Sequence, residues 1–195
     1  MRETSAGSPR TCADVADLLF LTGAPSSGKS TLARRFVDDH PLSLLLDIDT
    51  LRSHLGAWRE DPGAAGLAAR EIARAMARVH LGSGHDVVVP QFVARPELVD
   101  QLREVAAETG SRFLLAVLVS SPEEAAERFA ARAGSPEANH RDAAELQRTL
   151  WTTPVEESYR AMLAMLEGYD DVRHVTSVPG DVDGTYAELV RRLQE

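Results

Sequence analysis

Eight residues carry the densest chemical signal in the chain. Gly23-Ala-Pro-Ser-Ser-Gly-Lys-Ser30 has the spacing G-x-x-x-x-G-K-S. An apolar run, Leu18–Thr22, precedes it, and a helix-like run follows. In that context successive backbone N–H groups curl around an anion, and glycines stand where a Cβ would obstruct its approach. A helix starting near Lys29 adds its free N–H groups and the positive end of its dipole. Gly23, Ala24, Pro25, Ser26, Ser27, Gly28, Lys29, Ser30 and Thr31 are therefore expected to cradle the phosphates of a nucleoside triphosphate. Lys29 is placed to reach the β- and γ-phosphates, and the Ser30 hydroxyl to ligate Mg²⁺. Lys29 is also the only lysine in the chain; all other basic residues of this kind are arginine. An arginine-biased genome explains the scarcity but not where the survivor sits. Arginine cannot replace a compact, flexible ammonium at a phosphate without changing the geometry.

Phosphoryl transfer to a hydroxyl needs a carboxylate to orient or deprotonate the acceptor, and positive charge over the equatorial oxygens. Asp47-Ile-Asp49-Thr-Leu-Arg52 supplies carboxylates at the end of a second apolar run. Asp49 is the candidate base; its bland alternative is an N-cap for the next helix. Asp47 is a candidate for the Mg²⁺ water shell, or for a pair with Arg52. Arg52, one turn beyond Asp49, is a candidate substrate ligand. Arg128 and Arg132 lie four apart, on one face of a helix. They suit a lid that closes over a nucleotide and brings charge to the transition state, with Arg141 as a third candidate. Trp58 and Phe92 could stack on a ring or belong to the core.

These residues need a scaffold. Apolar runs at Leu18–Thr22, Leu44–Ile48, Asp86–Pro90, Phe113–Val119 and Val172–Val175 read as short buried strands alternating with helices. The helices read as Lys29–Asp39, a segment after Gly66, Pro96–Thr109, one opened by the capping box Ser121-Pro-Glu-Glu124, two more following the polar loop from Gly134 to Arg141, and one at the C-terminus. In the second, the periodicity places Ala68, Ile72, Ala75, Met76 and Val79 inward and Arg70, Arg74 and Arg78 in solvent. Strands alternating with helices predict a parallel α/β sheet with right-handed crossovers. In such a sheet ligands bind beyond the C-terminal strand ends. The phosphate loop, Asp47, Asp49 and Gln91 all fall there.

The bulk properties set limits. With 195 residues the expectation is a single domain, residues 14–195, after a flexible leader, residues 1–13. A net charge of −9 argues against a nucleic-acid partner held by counterion release. The single cysteine, Cys12, excludes an intramolecular disulfide and a cysteine metal cluster. No apolar run approaches the length of a membrane span and no signal-peptide pattern opens the chain, so a cytoplasmic location is expected. The six histidines show no metal-ligand spacing, and no nucleophile elbow is present.

Gly23–Ala33 together with Leu46-Asp-Ile-Asp-Thr-Leu-Arg52 resembles the small P-loop kinases: adenylylsulfate kinases, chloramphenicol phosphotransferase, zeta-type toxins and polynucleotide 5′-kinase domains. The likeness to the last extends to Val87–Gln91 with Ala94–Glu97, and to Ser121–Arg132 as a lid helix. The resemblance implies a P-loop NTPase fold, a three-layer αβα sandwich with strand order 2-3-1-4-5 and a helical lid at about residues 122–141. It implies ATP and Mg²⁺ as cofactors, Asp49 as base, Arg128 and Arg132 as lid arginines, and adenine near Ser177 to Gly180. One position departs from the pattern. Gln91 stands where many relatives carry an acid, so either Asp47 and Asp49 anchor the metal water or Gln91 hydrogen-bonds the acceptor. The expectation is a kinase acting on a hydroxyl of a small molecule. The alternatives are an ATP-hydrolysing regulatory protein acting through a partner, and a nucleic-acid 5′-end kinase.

Overall fold

The computed structural model describes residues 15–132 and 153–195. The leader, the loop Gly134 to Arg141 and the first of the two helices expected after it lie outside them. Five strands are described: β1 (Asp17–Gly23), β2 (Leu44–Leu45), β3 (Val87–Pro90), β4 (Arg112–Val119) and β5 (Val172–Thr176). They form one parallel sheet of order β2-β3-β1-β4-β5, the order implied by the resemblance. Between and around them run α1 (Lys29–Asp39), α2 (Ile48–Ser53), α3 (Pro62–Gly82), α4 (Glu97–Glu108), α5 (Pro122–Arg132), α6 (Val155–Leu166) and α7 (Val182–Leu193).

The three-layer build follows from the period of two along each strand. Leu18 and Phe20 of β1, Val87 and Val89 of β3, and Leu115 and Val117 of β4 face α3, α4 and α6 in one core. Leu19 and Leu21, Val88, and Leu114, Ala116 and Leu118 point the other way, against Leu32, Ala33 and Phe36 of α1 and Tyr186, Leu189 and Leu193 of α7. All seven residues of β1 are buried, as a central strand covered on both faces requires. At the N-terminal edge of the sheet, Arg112 grips Asp17 through two bonds of 2.9 Å, and the Asp17 N–H donates to Asp86 at 2.8 Å.

Two elements, β2 and α3, differ from the expectation. The second strand is paired only over Leu44–Leu45, with one further bond from Leu46 N to Val88 O at 2.8 Å. It ends early because Asp47 already caps a helix. α3 starts at Pro62, inside the expected loop, where Asp61 accepts from the Ala64 N–H at 2.9 Å and proline occupies the first helical position. Its inward face is also different. Ala65, Ala69, Ala73, Ala77 and Leu81 are buried, whereas Ile72, Met76 and Val79 are exposed, Val79 by 73%. Of the expected solvent arginines, Arg74 meets Glu71 and Arg78 meets Glu108.

α5 opens as the sequence predicts. Ser121 N donates to Glu124 Oε2 at 3.0 Å and Glu124 N to Ser121 Oγ at 3.1 Å, a reciprocal capping box. α6 packs on it, and the buried Tyr159 hydroxyl accepts from Ser120 N at 3.1 Å, tying α6 to the turn from which α5 departs.

Candidate functional site

The loop between β1 and α1 is shaped by two glycines and one strained serine. Gly23 has φ of +148°, and a Cβ there would lie 2.9 Å from the Leu118 carbonyl oxygen of the neighbouring strand. Backbone conformation and close approach both demand glycine. Ser26 (φ 63°) and Gly28 (φ 94°) are left-handed. Such alternation makes the concave nest of backbone N–H groups that binds anions. The N-terminus of α1 fits the same use: Gly28 provides no side-chain cap and the first turn holds no acidic residue. Nothing within the helix neutralises the positive end of its dipole.

Lys29 is 9% exposed and arches back over the loop, where Nζ donates to the carbonyl oxygens of Gly23 at 3.1 Å and Ala24 at 2.7 Å. The ammonium therefore sits over the backbone that forms the nest. Ser30 and Thr31 are exposed in the first turn of α1, and the Ser27 side chain is buried.

The second group of predicted residues gathers across the ends of β2, β3 and β1. Gln91 N donates to Leu21 O at 3.1 Å, extending the β3–β1 pairing to the edge where the phosphate loop begins. Asp47 leaves the next strand at the same edge. It is Asp47, not Asp49, that caps α2: its Oδ1 accepts from Asp49 N at 2.9 Å and Thr50 N at 3.1 Å. Burial pushes the Asp47 carboxyl above the usual carboxylate range, against the pull of the Thr50 backbone N–H, and the nearby Asp49 charge adds to the rise. Asp49 stands in the first turn and pairs with Arg52 at 3.0 Å, so Arg52 goes to Asp49 and not to Asp47, for which a pair with Arg52 was one of two expectations. Arg52 lies over the Trp58 ring at 5.3 Å, and Arg59 over the same ring at 4.3 Å. Trp58 is buried and Phe92 half-buried. Both Arg52 Nε and Gln91 Oε1 are buried without a hydrogen-bond partner among the described residues.

On the other side of the phosphate loop is a cavity of about 280 Å³. Ser26, Ser27, Gly28, Thr31 and Leu32 form one wall; Ser177, Val178, Pro179, Gly180 and Asp181 form another, and Arg128 of α5 reaches in. This is the segment where the resemblance put adenine. Arg128 donates to Ser177 through Nη1 at 3.1 Å and Nη2 at 3.2 Å. Arg132 ends α5; its side chain and Arg141 lie outside the described residues. Sequence reasoning gave no role to Thr185 and Val182, which close the cavity from α7. Thr185 is buried because its hydroxyl donates to Asp181 O at 2.7 Å and accepts from Val178 N at 3.3 Å, shaping the loop. No local motif announces that role.

Ser30 and Asp47 offer hard oxygen ligands, and among the described residues no group of three or more His, Cys, Asp or Glu is arranged to hold a metal. An ion carried mainly by phosphate oxygens and water needs no more protein than that.

A family model described as an AAA domain matches residues 18–153. A search of curated proteins finds no match. Among solved structures, the chain is similar to the APS kinase of Mycobacterium tuberculosis in complex with AMPPNP and APS. That match has a TM-score of 0.63 at 19% identity and covers 92% of this chain and 98% of the other. It is also similar to a gluconokinase from Sinorhizobium meliloti, with a TM-score of 0.57 at 18% identity, covering 92% and 95%. A tunicamycin resistance protein of Deinococcus radiodurans gives 0.55 at 13% identity, covering 90% and 95%. These likenesses establish the fold of a P-loop kinase.

Proposed function

The chain belongs to the AAA-domain family, and from that premise we propose that it is an ATP- and Mg²⁺-dependent kinase transferring the γ-phosphoryl group to a hydroxyl of a small molecule. The observation that carries the proposal is the two-sided site. A cavity of about 280 Å³ flanks the phosphate loop on the β5 side, while Asp49, Arg52 and Gln91 stand on the β2–β3 side. A switch that only hydrolyses ATP needs the first side; an acceptor needs the second.

The residues then have distinct tasks. Backbone N–H groups of the loop between β1 and α1, where Pro25 has none to offer, and the α1 N-terminus hold the phosphates, and the Lys29 ammonium moves from the loop carbonyls to the β- and γ-oxygens. Ser30 and Asp47 would hold Mg²⁺, which supplies charge neutralisation on the phosphates when bound. Asp49 takes up the acceptor proton, its carboxylate held in place by Arg52. Arg128 brings positive charge from the nucleotide side, and Arg132 is proposed for the same lid function. Gln91 Oε1, without a partner among the described residues, is an acceptor atom suited to a second hydroxyl or amide of the substrate, and Arg52 Nε, likewise without one among them, is a donor suited to one of its oxygens. The solved neighbours named for kinases acting on gluconate and on APS support a small acceptor. The net charge of −9 weighs against a polynucleotide.

The test is ATP turnover with Mg²⁺ in the presence of pools of hydroxyl-bearing metabolites, with products identified by mass. A compound that gains one phosphoryl group, and does so only with Lys29 and Asp49 intact, is the expected result. Turnover that no compound stimulates would sink the kinase reading in favour of a regulatory ATPase.

A further inference from the structure

Arg128 comes from the lid helix, yet the group that holds its guanidinium belongs to the loop after β5. Nη1 donates to Ser177 Oγ and Nη2 to the Ser177 carbonyl, at 3.1 and 3.2 Å. The Ser177 hydroxyl in turn donates its own proton to the carbonyl of Ser27, inside the phosphate loop, at 3.1 Å. Ser177 is 7% exposed, and its backbone N–H donates to Val119 O at 2.8 Å, continuing the β4–β5 ladder. It is therefore a fixed post, with the α5 arginine on one side and the phosphate loop on the other. A hydroxyl is suited to this position because it accepts one hydrogen bond while donating another. Two of the five guanidinium N–H groups are spent on Ser177, and Nε–H is buried with no partner among the described residues.

We infer that Ser177 is a positioning residue for nucleotide binding, clamping the lid arginine Arg128 to the phosphate loop through Ser27 so that lid seating and loop geometry are energetically coupled. The inference rests on the nucleotide-site reading above and adds a residue to it. Its content is the coupling. A serine that merely shaped the β5–α7 loop would matter equally with or without Arg128, whereas a clamp has nothing to hold once the arginine is gone.

The experiment is a double-mutant cycle on ATP affinity, measured calorimetrically with Mg²⁺ and without acceptor on the full chain. Ser177→Ala is expected to weaken ATP binding about tenfold, and Arg128→Ala at least as much, in line with loss of hydrogen bonds to a charged group. The double variant should bind no more weakly than Arg128→Ala alone, and Ser177→Thr, which keeps the hydroxyl, should recover most of the affinity. Ser177→Cys, similar in size with only a weak donor, repeats the cycle if the alanine variant folds poorly. Losses that add in the double variant, or no loss in Ser177→Ala, overturn the inference. Failure of the unaltered chain to bind ATP overturns the proposed function and this inference together. Binding without phosphoryl transfer overturns only the kinase reading, and the cycle still decides the clamp.

Discussion

Lys29 and Asp49 stand at opposite ends of the proposed reaction, and their variants should fail in different ways. Removing the ammonium with Lys29→Ala takes away charge aimed at the transferring group. It is expected to cost about 2–4 kcal/mol of transition-state stabilisation, or roughly 10²–10³ in turnover, and to weaken ATP binding as well. Asp49→Asn keeps the shape and the Arg52 contact surface while removing the proton acceptor. Turnover should fall by orders of magnitude with ATP affinity unchanged. Rapid-mix kinetics beside equilibrium ATP titration separate the two; equal loss of ATP affinity in Asp49→Asn would assign that residue to the nucleotide side. At this scale much of the site was legible. The phosphate loop announces itself because its glycines answer a backbone requirement that spacing alone encodes. The capping role was not, since Asp47 and Asp49 both precede helix-compatible residues. Only the short pairing of β2 decides that Asp47 is the cap. The Arg128–Ser177 contact joins residues 49 apart and has no local signature at all.

Among the elements, α3 shows how a periodicity can point the wrong way. Ile72, Met76 and Val79 form an apolar stripe by size, and the alanines at 65, 69, 73 and 77 form another at the same helical spacing. Hydropathy favours the larger residues. Packing favours the smaller, because α3 lies against α2, α4, β1 and β3, and side chains without volume let a helix approach a sheet closely. Two substitutions discriminate the faces. Ala73→Leu should destabilise by about 1–3 kcal/mol through overpacking, whereas Val79→Ser should stay within about 0.5 kcal/mol. Urea titration of both variants is the check, and the reverse ranking would restore the face the periodicity suggests. β1, β4 and α5 were legible because no such rivalry exists in them. β1 and β4 are continuous apolar runs, and α5 carries its start signal in the reciprocal Ser121–Glu124 box.

Across the whole molecule, the parallel sheet is tied at its edges by ion pairs of long sequence reach, and one of them gives a pH signature. Arg103 of α4 meets Asp171, just before β5, through two bonds of 2.9 Å. The guanidinium holds the Asp171 carboxyl below the usual carboxylate range. Because the folded pKa is depressed, the stabilisation is complete above the ordinary aspartate value and is lost as pH falls through the lower folded one. Both side chains are about two-fifths exposed, so screening limits the effect to about 1 kcal/mol or less. Asp171→Asn should lower stability near neutral pH and flatten the acid limb of the stability profile, leaving the two proteins alike at the acid end. Parallel profiles across that range would show that the pair contributes nothing.

Nucleotide binding tests the molecule at the same scale, because the proposed site draws on elements from the central strand to the β5 edge of the sheet at once. The phosphate loop follows the central strand, the cavity wall follows the edge strand β5, and Arg128 comes from the helix after β4. A ligand that binds only when all three are assembled stabilises the whole fold by mass action, by about 2.7 kcal/mol at a hundredfold excess over Kd. For a chain of this length that corresponds to a rise in Tm of roughly 5–11 °C. ATP with Mg²⁺ should produce it, and Lys29→Ala, whose ammonium lies against the loop rather than in the core, should lose most of it while its own Tm without nucleotide changes little. Scanning calorimetry with and without nucleotide measures both. A ligand-induced rise that survives in Lys29→Ala would mean that the phosphates are held elsewhere than in the loop between β1 and α1.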